Sequence, residues 1–278
     1  MSNYLRAGRF QLDLSETKIM GVLNCTPDSF SDGGHFVTPQ AALERAAKMI
    51  DEGVDIIDVG AESTRPGSKA VSIEEELARL LPVVEVLVRD GRVPISIDTK
   101  KTAVMRAVLE LGVDMINDVH GFEDDGALAT AAASNCALCI MHMRGMPENM
   151  QTNTQYSDVV GEVERYLEER IISAEKAGVA QNRIIVDPGF GFGKNPSQNM
   201  MLIKQIASFV PALPKLIGVS RKSTIGYYLG DAPVEQRLHG SVTLAALGAW
   251  LGAAVVRVHD VKETGDALKM VKALKNSK

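Results

Sequence analysis

"KIMGVLNCTPDSFSDGG", residues 18–34, decides how this chain folds. Its first half is an apolar run that reads as a strand; at Asn24 it gives way to a polar stretch with one proline, two glycines and two aspartates. A doubly wound dinucleotide-binding sheet carries a Gly-rich phosphate fingerprint directly after its first strand. The stretch after Asn24 has no such fingerprint, so it argues for a barrel, whose ligand chemistry gathers at the C-terminal ends of its strands.

The same alternation continues on the C-terminal side. Further strand-like runs cover residues 55–60, 93–98, 114–119, 137–143, 183–189, 215–220 and 254–260, which with 18–24 makes eight. Segments of helical periodicity separate them, over residues 39–53, 72–91, 101–112, 125–134, 156–178, 197–209, 233–252 and 261–274. Several end in Gly, as a helix C-cap favours, and Ser72 followed by Glu75 has the pattern of a capping box. Eight β and eight α segments in alternation predict an α/β fold, a (β/α)8 TIM barrel. No linker, low-complexity tract or internal repeat divides the chain, so residues 1–278 are expected to form a single domain. "RFQLDL", residues 9–14, is placed to form a short strand across the bottom of the barrel.

Composition sets the outer limits. With 278 residues, 45% of them hydrophobic, the chain can bury a sizeable core. Its net charge of -5 argues against a nucleic-acid partner, so any anionic ligand must be held by local cations. No apolar run approaches the length of a membrane helix and the first residues lack the form of a secretion signal, so no membrane contact and a cytoplasmic location are expected. Cys25, Cys136 and Cys139 give no disulfide framework. Cys136 and Cys139 have redox-motif spacing, but on a strand residues three apart face opposite ways, which points to packing.

Polar residues fall repeatedly at the predicted strand ends: Asn24, Asp98, Asn117, Asp118, Asp187, Arg257, His259 and Asp260. Each could simply cap a helix or bond a loop. As a set, Asp98, Asn117 and Asp187 would converge on the barrel mouth with donors and acceptors suited to a flat, nitrogen-rich heterocycle. A paired-carboxylate role for Asp98 and Asp187 stays open, because sequence does not give their separation. Arg65, Arg221, Lys222, Arg257 and His259 concentrate positive charge at the same end of an acidic protein, which favours a phosphate-bearing ligand. "GFGFGK", residues 189–194, fails as a phosphate loop because Pro188 and Asn195 stand where that motif needs Gly and Ser or Thr. Its glycines are expected to let the loop pass close to a ligand while Phe190 and Phe192 present flat apolar faces. Among Cys25, His120, Cys139 and His142 no zinc-like spacing emerges, whereas magnesium needs only one protein oxygen, which Asn24 could supply.

"MGVLNCTPDSFSDGG", "DIIDVGAESTRPGS", "ISIDT", "MINDV", "MHMRGMPENMQ", "VDPGFGFGK", "GVSRKS" and "VRVHDV" together resemble the bacterial dihydropteroate synthases, a family of pterin-binding enzymes. The likeness runs in order from about residue 18 to 261. It implies a transferase of folate biosynthesis, targeted by sulfonamides, that joins 6-hydroxymethyl-7,8-dihydropterin pyrophosphate to p-aminobenzoate. The resemblance places Asp98, Asn117, Met141, Asp187, Phe192, Lys222 and Arg257 around the pterin, with Asp98, Asp187, Lys222 and Arg257 as the catalytic set. It puts Thr64, Arg65, Arg257 and His259 at the pyrophosphate, with Asn24 as the Mg2+ ligand beside it. It puts Thr64, Pro66, Phe190, Ser220, Arg221 and Lys222 around p-aminobenzoate, and it implies a homodimer. The polar half of the opening stretch would then be a mobile lid. Two other readings are a pterin-binding methyltransferase that serves a corrinoid protein, which would not need Arg65, Arg257 and His259, and a pterin-binding homologue without turnover.

Overall fold

The computed structural model describes residues 3–26, 38–63, 68, 70–145, 150, 152–210 and 213–277. The expected lid beyond Thr26, together with Thr64, Arg65 and Pro66, lies outside them. The chain opens with an antiparallel hairpin, β1 (Tyr4–Ala7) and β2 (Phe10–Asp13). The barrel strands follow: β3 (Lys18–Asn24), β4 (Ile56–Gly60), β5 (Ile95–Asp98), β6 (Met115–Asp118), β7 (Ala137–Met141), β8 (Ile184–Asp187), β9 (Leu216–Ile217) and β10 (Val255–Val258). All eight pair in parallel in the order β8-β7-β6-β5-β4-β3-β10-β9, and a parallel bridge from Val186 to Lys215 brings the ends of the sheet together. This is the expected (β/α)8 barrel.

The helices that cover it are α1 (Pro39–Asp51), α2 (Ile73–Asp90), α3 (Thr102–Glu110), α4 (Ala127–Ala132), α5 (Val159–Lys176), α6 (Pro196–Lys204), α7 (Ser223–Tyr228), α8 (Leu238–Trp250) and α9 (Val261–Asn276). Local chemistry marks their ends. Ser72 caps α2 by accepting from the Glu75 amide, and Gly91 closes the same helix in the left-handed conformation with φ 64°. The reciprocal half of the expected capping box is replaced by an ion pair, since Glu75 bonds Arg79 one turn on. A full capping box forms instead at α6, between Asn195 and Gln198. Helix α7 is an addition to the sequence reading: pairing in β9 stops at Ile217, Arg221 turns the chain with φ 59°, and Lys222 opens a helix too short to show a period.

Strand alternation sorts the core into two parts. Ile19, Leu23, Ile57, Val59, Ile95, Ile97, Leu138, Ile140, Ile184, Val186, Val256 and Val258 face outward and pack beneath the helices. Met20, Ile56, Met115, Ala137, Cys139, Ile185, Leu216 and Val255 face inward and fill the lower barrel, where Leu5 and Ala7 of the hairpin close it from below. The predicted bottom strand is therefore one half of a two-stranded plug. Arg9 ties this plug to the barrel through Asp114, donating from Nε at 3.1 Å and from Nη2 at 3.1 Å. Cys136 joins the outer cluster and Cys139 the inner one, so the pair is split by the sheet as strand geometry requires. No helix among the described residues is long and apolar enough to cross a membrane.

Candidate active site

Above the apolar filling, the inward positions of the strands become polar. On β4 the series Ile56, Asp58, Gly60 changes from apolar to charged in one step along the same face; on β5 Asp98 follows Ser96, and on β6 Asn117 follows Met115. Asp187 follows Ile185 on β8 and Arg257 follows Val255 on β10, so five strands deliver a charged or amide group to one level of the barrel.

Arg257 is the bridge between them. Its Nε donates to Asp58 Oδ2 at 2.6 Å and its Nη2 to Asp98 Oδ2 at 2.8 Å, while Asn117 Nδ2 donates to the same Asp58 oxygen at 3.1 Å. With its amine turned to Asp58, Asn117 keeps its carbonyl oxygen as an acceptor for something else. Asp58 is fully buried, and its second oxygen has no partner among the described residues; nor does the hydroxyl of Ser96, its register neighbour on β5. Burial raises the pKa of the Asp98 carboxyl, and Arg257 pulls it back down. For Arg257 burial opposes the charge, yet Asp58 and Asp98 outweigh it and hold the guanidinium above its ordinary value.

A second pair stands on the opposite wall. Asp187, buried at the end of β8, accepts from the Gly189 amide at 2.7 Å; burial raises its pKa and Lys222 counters that rise. Lys222 donates to the Phe190 carbonyl and lies 4.4 Å above the Phe192 ring. Removal from water lowers the Lys222 pKa to about 8, with Asp187 acting against the shift and Arg257 adding to it. Met141 and Phe192 share a small buried cluster with Val119, Met143 and Met150, which gives the mouth a flat apolar side beside these charges. The amide of His259 donates to Ser220 Oγ at 3.2 Å, and its ring nitrogen Nδ1 is 3.0 Å from the same oxygen. Asn24 ends β3 on the face that carries Met20 lower down, half-buried at the mouth.

Asp98, Asn117, Asp187, Lys222 and Arg257 are thus gathered as the sequence suggests. Two expected neighbours of p-aminobenzoate are already engaged by protein groups. Phe190 is buried in the outer core, its carbonyl accepts from Lys222 and its ring centroid lies 5.8 Å from Lys222 Nζ. Arg221 lies against Asp260, with Nη2 2.5 Å from Oδ1 and Nε 3.0 Å from Oδ2, and is already engaged by a carboxylate. Of the three glycines of "GFGFGK", Gly191 lies against Lys222, where a Cβ would sit 2.9 Å from Cδ, and the other two serve a different neighbour. A Cβ at Gly189 would sit 1.8 Å from the His142 carbonyl oxygen, and one at Gly193 2.5 Å from that of Arg144, so close approach to protein backbone is what excludes a side chain there. Asp118 turns away from the mouth and accepts the His120 and Phe122 amides at 2.8 and 2.7 Å, a turn-capping role. Asp58 went unread because it lies two residues inside its strand; a carboxylate within a buried parallel strand was the signal available.

The Pterin binding enzyme family matches residues 20–259 of the chain. The chain is 49% identical over 276 residues to the dihydropteroate synthase of Neisseria meningitidis serogroup B, covering 97% of this chain and 96% of the relative. It is similar in structure to dihydropteroate synthase of Xanthomonas albilineans with 4-aminobenzoic acid, with a TM-score of 0.94 and 43% identity over all of both chains. It is likewise similar to the Burkholderia cenocepacia enzyme complexed with 7,8-dihydropteroate, with a TM-score of 0.89 and 44% identity over 98% of this chain and 96% of that one.

Proposed function

The chain belongs to the pterin-binding enzyme family, and from that premise we propose that its barrel mouth joins 6-hydroxymethyl-7,8-dihydropterin pyrophosphate to p-aminobenzoate. The activity is that of a dihydropteroate synthase, a transferase of folate biosynthesis. One observation carries the reading onto this geometry: a buried polar floor of Asp58, Asp98, Asn117 and Arg257 faces Asp187 and Lys222 across the same opening. A pterin edge offers alternating N–H donors and acceptors. Asp98, Asp187 and the carbonyl oxygen of Asn117 would accept from it, Lys222 would donate to it, and Met141 and Phe192 would cover one ring face.

The displacement then needs little covalent help from the protein. The C–O bond to pyrophosphate breaks with its electron pair leaving on the phosphate oxygen, the methylene carbon accepts the aniline nitrogen, and that nitrogen gives up a proton to solvent. Positive charge that grows on the pterin as the bond lengthens would be countered by Asp187, whose buried carboxylate is weakly screened. Arg257 and His259, with Thr64 and Arg65, would receive the pyrophosphate. Thr64, Pro66, Phe190, Ser220 and Lys222 would border p-aminobenzoate, with the Phe190 carbonyl and ring both facing Lys222. If Arg221 is to meet the p-aminobenzoate carboxylate, it must exchange Asp260 for it.

Mg2+ fits this arrangement as a substrate-borne ion. Among the described residues no cluster of His, Cys, Asp or Glu could hold a metal, and the single amide oxygen of Asn24 at the mouth suits an ion that completes its octahedron with phosphate oxygens and water. When bound, it would neutralise charge on the departing pyrophosphate. The whole chain is read as one cytoplasmic domain. It is also read as a homodimer built on the exposed apolar face of Leu247 and Trp250 on α8 and Met270 and Leu274 on α9, helices joined by a bond from Lys275 Nζ to the Ala249 carbonyl. Sedimentation of L247E as a dimer would refute that interface. The activity itself is tested by coupled pyrophosphate release with both substrates and Mg2+; folded protein that releases none overturns the proposal.

A further inference from the structure

Lys194 closes "GFGFGK" and plays no part in the reaction above, yet it is only 2% exposed. Its Nζ lies 2.9 Å from the Gly189 carbonyl oxygen, 2.9 Å from that of Phe192 and 3.0 Å from His142 Nδ1. With the His142 carbonyl oxygen a longer fourth contact at 3.5 Å, the three near acceptors match the three donors of an ammonium. A neutral amine would have only two N–H groups and would set a lone pair against one of those acceptors, unless the imidazole supplied the third proton.

The groups it collects come from two loops. His142 follows β7, its amide donates to the Asp187 carbonyl at 3.1 Å, and the Tyr166 ring stands edge-on to it at 5.0 Å. Gly189 and Phe192 belong to the turn after β8, which bends back over the lysine because Gly189 and Gly193 adopt φ of 71° and 65°. Asn199 of α6 holds the outer side of this turn: its Oδ1 accepts from the Gly191 amide at 2.7 Å and its Nδ2 donates to the Lys194 carbonyl at 3.3 Å and to Thr224 Oγ1 at 2.9 Å. On the mouth side the same turn presents the Phe190 carbonyl and the Phe192 ring to Lys222.

We propose that Lys194 is a positioning residue: its ammonium is the internal cation around which residues 187–193 are wound, and through the Phe190 carbonyl and the Phe192 ring it fixes Lys222 at the ligand. The inference deepens the reading of the mouth as a pterin site and rests on it. Lys194 touches no substrate. Burial, with Lys222 and Arg144 nearby, pushes the Lys194 pKa well below its ordinary value and Asp187 only partly opposes this, so the charge depends on the carbonyl oxygens that take the place of solvent around Nζ.

The test is K194M, which keeps the side chain as far as Cε and removes its donors, set beside L202A, which opens a buried apolar cavity under α6 and leaves those donors in place. Binding of 6-hydroxymethylpterin is measured by calorimetry, and the KM for p-aminobenzoate at saturating pterin substrate by pyrophosphate release. K194M is expected to weaken pterin binding roughly tenfold or more, the scale of one charge-assisted hydrogen bond, and to raise the p-aminobenzoate KM as well, because Lys222 borders both ligands. L202A should lose stability without either change. Pterin affinity in K194M within about threefold of wild type, or the same loss in L202A, overturns the proposal. A second measurement needs no variant: in wild-type protein with 15N-labelled lysine, Lys194 Nζ should appear as a slowly exchanging ammonium, and a neutral amine there refutes the winding cation. If wild-type protein itself fails to bind the pterin, the reading of the mouth fails, while the nitrogen resonance still decides the state of Lys194.

Discussion

Replacing Asp58 with Asn tests the polar floor at its centre. One oxygen of Asp58 receives both Arg257 Nε at 2.6 Å and Asn117 Nδ2 at 3.1 Å. D58N keeps an oxygen for these donors but removes the charge that makes the first bond strong, and it puts an amide where an unpartnered oxygen now lies. Loss of the charge-assisted part costs about 2 kcal/mol, which is roughly thirtyfold in Kd if the floor is what presents Asn117 and Asp98 to the pterin. Asp58 also raises the Asp98 pKa by repulsion, so in D58N the Asp98 carboxyl should titrate lower than in wild type. The assay is calorimetric binding of 6-hydroxymethyl-7,8-dihydropterin pyrophosphate from pH 5.5 to 8.5, with N117A and D58N/N117A completing a double-mutant cycle. Because the two side chains share a bond, a coupling of about 0.5–1.5 kcal/mol is expected. An affinity within twofold of wild type, or effects that add to within about 0.3 kcal/mol, would refute a floor that works as a unit.

Three further outcomes follow from the same geometry. Lys222 has its pKa lowered to about 8 from 10.5, so pterin affinity should fall as pH rises through about 8; between those values the unfolded chain binds the extra proton, so Lys222 makes stability rise with pH. An affinity limb near 8 that survives in K222M would remove Lys222 from this role. N24A should raise the Mg2+ concentration needed for half-maximal turnover by roughly an order of magnitude while leaving binding of 6-hydroxymethylpterin unchanged, and an unaltered Mg2+ titration would exclude Asn24 as a ligand. G189A places a Cβ 1.8 Å from the His142 carbonyl oxygen at a φ of 71°, and it should lower unfolding stability by about 3 kcal/mol or more; a thermal midpoint equal to wild type would show that the turn can relax.

The barrel was legible because each strand leaves a run of apolar residues long enough to stand out, and its eight observed strands all lie within the predicted segments, whereas β1 of the hairpin does not. Where reading from sequence stopped, a physical cause can be named. Helix α7 spans Ser223–Tyr228, less than two turns, so no apolar period could develop. Asp98, Asn117 and Asp187 were visible as polar ends of apolar runs, whereas Asp58 is followed by Val59 and Gly60 and was absorbed into the strand. Ser72 and Glu75 have the spacing of a capping box, but Arg79 competes for the carboxylate one turn later. Lys194 and Arg221 show the sharpest limit. Side-chain type gives charge, but whether a cation meets a ligand, an aspartate or a set of carbonyls depends on loops whose paths the sequence pattern does not encode.

The hairpin at the foot of the barrel has a further consequence for the chemistry at the other end. Leu5 and Ala7 press into the inward layer formed by Met20, Ile56, Met115, Ile185, Leu216 and Val255, and Arg9 locks the hairpin to Asp114. This makes the column below Asp58 an electrical insulator. If water reached that column from beneath, it would screen the attraction between Arg257 and its two carboxylates and relax the titrations of Asp98 and Lys222 toward their ordinary values. A plug that contacts no ligand therefore helps set the voltage at which the mouth operates, and Leu5→Asp should be read there, in the pH profile of pterin binding, as well as in the stability of the fold.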